Sequence, residues 1–83
     1  MGDSLPQISG YDLIKLLEKD GWIAGTRSTH GVKLSKKFLD RIRVTIIPTK
    51  HKAMPAGTLS AILGSKQTGI GRDGFLELYK KYH

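Results

Sequence analysis

Residues 22–34, WIAGTRSTHGVKL, constrain the fold of this chain more than any other stretch. They read as a short strand, a tight turn of small residues and a second strand. Two antiparallel strands therefore lie side by side, and the architecture has to be built on a sheet. In the second strand, residues 30–35, His30, Val32 and Leu34 alternate with Gly31, Lys33 and Ser35. That period of two puts the first set on one face, the core face. The first strand, residues 22–27, carries Trp22 and Ile23 and is weakened by Gly25. A third run, residues 41–47, alternates Ile42, Val44 and Ile46 with Arg41, Arg43 and Thr45. It stops at Pro48, which has no N–H to give to a ladder. Between the second and third strands, residues 35–40 (SKKFLD) are polar enough for a long hairpin loop.

Helices flank these strands. Ser9 can cap a first helix over about residues 10–20, with Asp12 placed to reach back and Ile8 and Leu13 placed as a hydrophobic staple. Leu13, Ile14, Leu16 and Leu17 form its apolar stripe; Asp12, Lys15, Glu18 and Lys19 face water. Gly21 suits the left-handed position that ends it. Beyond a linker at 51–54, Pro55 can stand in the first turn of a second helix whose buried stripe is Leu59, Ile62 and Leu63. Gly64 weakens that helix and Gly69 to Gly71 ends it. A last short helix over about residues 73–82 spaces Phe75, Leu78, Tyr79 and Tyr82 helically. The order is helix, three antiparallel strands, helix, helix. The fold class is α+β, a two-layer sandwich with helices on one face of the sheet and the other face open.

Eighty-three residues, 39% of them hydrophobic, supply one helix-on-sheet core, so the chain reads as a single domain with a polar lead-in at 1–7. Lys and Arg number 14 against 7 Asp and Glu, a formal net charge of +7. Such an excess attracts nucleic acid, an anionic membrane or an acidic protein. The charges are spread along the chain, which suits a folded basic surface rather than a basic tail. There is no cysteine, so disulfides and thiolate metal sites are excluded. No apolar run approaches the roughly 18 residues of a membrane span. The start, Met1-Gly2-Asp3-Ser4, has no secretory pattern, and Pro6 stands where a myristoylation motif needs Ser or Thr.

Within this basic chain, His30 lies three residues after Arg27 and three before Lys33. A lone imidazole between cations points to chemistry on a polyanion; the alternative is a structural histidine on the core face. Strict alternation places His30 beside Val32 and Leu34, so a reactive His30 must lie outside the ladder or be re-aimed by a bulge. No metal or cofactor is expected: His30, His51 and His83 have no paired spacing. Gly57-Thr58 and Gly69-Ile70-Gly71-Arg72 lack the strand, helix and lysine of a phosphate loop. Lys36-Lys37 and Lys50-His51-Lys52 are solvated charge that could position a phosphate backbone. Trp22 and the tyrosines are assigned to packing.

The segments Ser9-Gly10-Tyr11-Asp12-Leu13-Ile14-Lys15-Leu16-Leu17, Gly21-Trp22, Arg27-Ser28-Thr29-His30, Val44-Thr45-Ile46-Ile47-Pro48, Gly57-Thr58-Leu59 with Ile62-Leu63, and Phe75-Leu76 occur in that order. Together they resemble the HicA family of toxin ribonucleases, over roughly residues 8–79. The resemblance implies a fold like that of double-stranded-RNA-binding domains, with an extra short C-terminal helix. It implies a cytoplasmic, metal-independent endoribonuclease that cleaves mRNA and is silenced by a cognate acidic antitoxin, HicB-like, covering the active face. The family's histidine, in a Gly-Ser-His turn, falls on His30, and its Gly-Ser pair on Ser28 and Thr29. A Pro-x-His pattern of the family is one residue longer here, Pro48 to His51. The implied reaction is attack of a ribose 2′-OH on its own 3′-phosphate. His30 would serve as general acid and base, since an ordinary histidine pKa of about 6.5 populates both forms near neutrality. Arg27 and Lys33 would stabilise the phosphorane, and Lys36 and Lys37 would bind RNA further along. Two rivals remain: a module of the same fold that binds RNA without cutting, and a domain whose basic face docks an acidic protein.

Overall fold

The structure, a computed structural model, describes residues 6–50 and 53–82. Its elements are α1 (Gly10–Lys19), β1 (Ile23–Ser28), β2 (Gly31–Lys37), β3 (Ile42–Ile47), α2 (Ala56–Leu63) and α3 (Gly71–Tyr82). The strands form one antiparallel sheet in the order β1-β2-β3. The architecture is α+β in the expected order, α-β-β-β-α-α.

Local signals account for α1. The Ser9 hydroxyl accepts the Asp12 N–H at 3.1 Å, satisfying one of the donors a helix start leaves free. At the other end Gly21 takes φ 100°, and its N–H reaches the Glu18 carbonyl at 3.1 Å. Leu13, Ile14, Leu16 and Leu17 are buried and pack with Trp22, Leu34, Ile47, Leu59 and Phe75 in one core. Gly10 is needed for a different reason: a Cβ there would run into the Pro48 carbonyl oxygen. The start of α1 is thereby locked against the end of β3. Pro55 stands at the N-cap of α2, just before its first turn, and its carbonyl accepts the Leu59 N–H at 3.0 Å. Among the described residues, no helix is long and apolar enough to cross a membrane.

Three features of the sheet go beyond the sequence pattern or differ from it. First, β2 continues through Lys37, in unbroken register with β3 from Val32↔Ile47 to Lys37↔Ile42. The long loop expected at 35–40 is instead a tight connection closed by the Phe38 N–H on the Arg41 carbonyl at 2.7 Å.

Second, β3 turns its aliphatic set outward. Thr45 and Ile47 are buried, while Ile42, Val44 and Ile46 are exposed. Cross-strand partners share a face, and Leu34 pairs with Thr45 while Val32 pairs with Ile47. Once Val32 and Leu34 face the helices, Thr45 and Ile47 must follow. The buried Thr45 hydroxyl donates to the Gln67 side-chain oxygen at 2.5 Å. The Arg43 guanidinium donates to the Ser65 carbonyl at 2.6 Å, tying the segment after α2 to the sheet.

Third, β1 carries a bulge. Ala24 pairs with Leu34 and Arg27 with Val32, so β1 holds one more residue than β2 between these pairs. The extra residue falls at Gly25-Thr26, where the sequence already weakened the strand.

Candidate active site

The turn that carries His30 is built by its neighbours. Ser28 pairs with Gly31 across a two-residue loop, Thr29-His30. No described residue other than glycine has a positive φ, so Thr29 and His30 keep ordinary backbone angles and Gly31 takes φ 141°. Ser at the first position and Gly at the fourth suit a turn of that kind. The Ser28 hydroxyl accepts the His30 N–H at 3.2 Å and donates to the Gly31 carbonyl at 3.4 Å. Ser28 therefore fixes the backbone of His30, and Thr29 stands exposed at the tip.

His30 itself is exposed and lies in the turn, outside both strands. This removes the conflict with alternation: β2 begins one residue later than the pattern suggested. The nearby bulge re-aims Arg27 instead. Without the extra residue in β1, Arg27 would share the open face; with it, Arg27 pairs with Val32 and points to the helix side. There its guanidinium lies 5.8 Å from the ring centre of Tyr11, on the first turn of α1. Tyr11, a packing residue by its sequence, is half exposed. Its signal was present: it stands on the polar side of α1, away from the leucine stripe.

The other proposed contacts separate. Lys33 pairs with Ile46 and Lys37 with Ile42, so both lie on the open face, opposite Arg27. Lys37 is seven residues along from His30, or about 23 Å at strand rise, and could meet only a different phosphate of the same RNA. Lys36 points to the helix side, where its ammonium donates to the Asp20 carbonyl at 2.7 Å and meets the Asp20 carboxylate at 3.3 Å. It closes the C-terminal end of α1, where a cation is favoured. The expectation that Lys36 is a free loop cation fails because β2 extends through it. His51 and His83 fall outside the described residues.

Two electrostatic facts complete the site. The three strands carry Arg27, Lys33, Lys36, Lys37 and Arg43 and not one Asp or Glu. Among the described residues, no group of three His, Cys, Asp or Glu could hold a metal ion. A cavity of about 290 Å³ lies elsewhere, walled by Pro6, Gln7, Ala53, Met54, Pro55, Ala56 and Leu59, with no titratable side chain among them.

No family model, curated protein or solved structure matches this chain. What the arrangement can do follows from its chemistry alone. An exposed imidazole on a hydrogen-bonded turn, three residues along the chain from a strand arginine and on a sheet without carboxylates, is suited to proton transfer at a phosphodiester.

Proposed function

We propose that this chain is a metal-independent endoribonuclease toxin of the HicA kind, with a double-stranded-RNA-binding-domain-like fold, acting on mRNA in the cytoplasm. The observation that carries the proposal is the presentation of His30: exposed, outside the ladder, its backbone held by Ser28. The imidazole takes the proton of a ribose 2′-OH, whose oxygen attacks the adjacent phosphorus. The same proton is then given to the departing 5′-oxygen. The products are a 2′,3′-cyclic phosphate and a 5′-hydroxyl end. Arg27 stabilises the charge of the phosphorane, and Lys33 and Lys37 hold flanking phosphates. A single acid/base group contributes roughly 10²–10⁴ in rate, so turnover is slow. A free nuclease with this charge requires a neutraliser, and an acidic antitoxin covering the Arg27–His30–Lys33 turn fits it.

Cleavage in excess EDTA tests the reaction type. RNA should be cut at the same rate with and without the chelator, leaving cyclic phosphate ends. Activity lost in EDTA and restored by magnesium or zinc would overturn the mechanism. The rival is RNA binding without cutting, carried by the same basic strands. It predicts affinity that falls steeply with salt and RNA that stays whole.

The stacking of Arg27 on Tyr11 makes a second prediction. A cation over an exposed ring contributes about 0.5–1 kcal/mol. Tyr11→Leu should therefore lower kcat for RNA cleavage about two- to fivefold with KM little changed, and Tyr11→Phe, which keeps the ring face, should behave like the parent. Equal loss in both variants would mean that the hydroxyl, not the ring, matters.

A further inference from the structure

We infer that the open face of the sheet docks a protein partner whose surface is apolar at the centre and rimmed by carboxylates. Four large aliphatic residues stand in water on this face: Ile23 at 70% exposure, Ile42 at 63%, Ile46 at 48% and Val44 at 42%. The register arranges them. Val44, Ser35 and Ile23 form a row across the three strands, Ile46 lies beside Lys33, and Ile42 beside Lys37. Isolated exposed aliphatics need no explanation, but a contiguous set on one sheet face does. The choice of face sharpens the point. Strand β3 buries Thr45, which needs the Gln67 side chain as a partner, while three β-branched aliphatics face outward.

Charge selects the occupant. The two lysines of this face, Lys33 and Lys37, stand on the central strand among the aliphatics, and no strand supplies a carboxylate to either. A second copy of the chain would set these lysines against themselves. RNA, whose flanking phosphates Lys33 and Lys37 hold in the proposed reaction, would still leave the aliphatics wet, and β1, β2 and β3 carry no aromatic ring on which a base could stack. An acidic protein surface with an apolar centre satisfies both. This inference does not depend on whether the chain cuts RNA. If it does, a partner seated here covers Lys33, three residues from His30.

The test uses two synthetic amphipathic helical peptides with leucine along one face, one with glutamate elsewhere and its twin with lysine. Binding is read by fluorescence anisotropy against the full chain. The glutamate peptide should bind and the lysine peptide should not. Val44→Glu and Ile46→Glu, both at exposed positions, should each weaken binding about tenfold or more. Leu39→Glu, an equal change at a fully exposed loop position outside the three strands, should leave it unchanged. Lys37→Glu should move preference toward the lysine peptide. Melting temperatures within a few degrees of the parent show that the variants fold. The inference is overturned if the glutamate peptide does not bind, or binds the Val44 and Ile46 variants as it binds the parent. It also falls if the chain instead dimerises in sedimentation, or attaches to phosphatidylglycerol vesicles, through these same residues.

Discussion

His30→Ala is expected to lose RNA cleavage by a factor of about 10²–10⁴ and to melt at the temperature of the parent. The two halves of this expectation have separate causes. The rate falls because the imidazole is the one acid/base group the turn presents. Stability holds because the ring is exposed, and the turn is held by the backbone N–H of residue 30 on the Ser28 hydroxyl, which alanine retains. RNA binding should persist, since its contacts come from Arg27, Lys33 and Lys37. A buried, hydrogen-bonded histidine would behave otherwise. Its removal would cost roughly 1–3 kcal/mol, at about 4–8 °C of melting temperature for each kcal/mol in a domain of this size. Cleavage and melting measured on one preparation therefore separate the two roles. A variant that cuts at the parental rate removes His30 from the mechanism and makes His51→Ala the next substitution.

The parts of this fold legible in the sequence are those written locally. Ser9, the leucine stripe and Gly21 give α1 its start, buried face and end, because caps and a period of 3.6 need no distant partner. The order of elements follows from the same signals. Alternation in β3 is legible too, but it says which residues share a face, not which face turns inward. That choice is made by pairing with Val32 and Leu34, and it buries Thr45 and Ile47. The side of Arg27 is likewise non-local. Gly25 marks a weak point in β1, yet the flip follows only from counting residues across the pairs Ala24↔Leu34 and Arg27↔Val32. The polar run SKKFLD resembles a loop because lysines are uncommon in strands; Lys36 is a strand residue because Asp20 partners it. The place of His30 is also written locally, in the turn signature Ser-x-x-Gly, but the alternation over residues 30–35 assigns it to the strand, and only the pairing of Ser28 with Gly31 puts it in the turn. The proposed activity comes from a resemblance, and what supports the proposal is this turn and the sheet's charge.

The residue that turns this local signature into a rigid site is Gly31. Its φ of 141° lies where side chains bring strain of about 1–3 kcal/mol. A Cβ there would also run into the Ile47 carbonyl oxygen, with the Ile47 carbonyl carbon at 2.7 Å and the Pro48 Cα at 3.0 Å. All three neighbours are backbone atoms, so no side-chain rotation relieves the contact; the end of β3 or the turn must move, at a further cost of about 1–3 kcal/mol. Gly31→Ala should therefore destabilise by about 2–6 kcal/mol, lowering the melting temperature by roughly 10 °C or more. Gly57→Ala is the matched control. Gly57 sits in α2 with nothing near its missing Cβ, and alanine there should raise stability by a few tenths to about 1 kcal/mol. The pair of melting curves isolates backbone approach from loss of glycine as such. If Gly31→Ala melted like Gly57→Ala, the turn would not be braced against β3, and the position of His30 would be set by Ser28 alone. If it melts early, residual activity of the folded fraction should fall as well, because relief of the clash displaces the turn on which the imidazole stands.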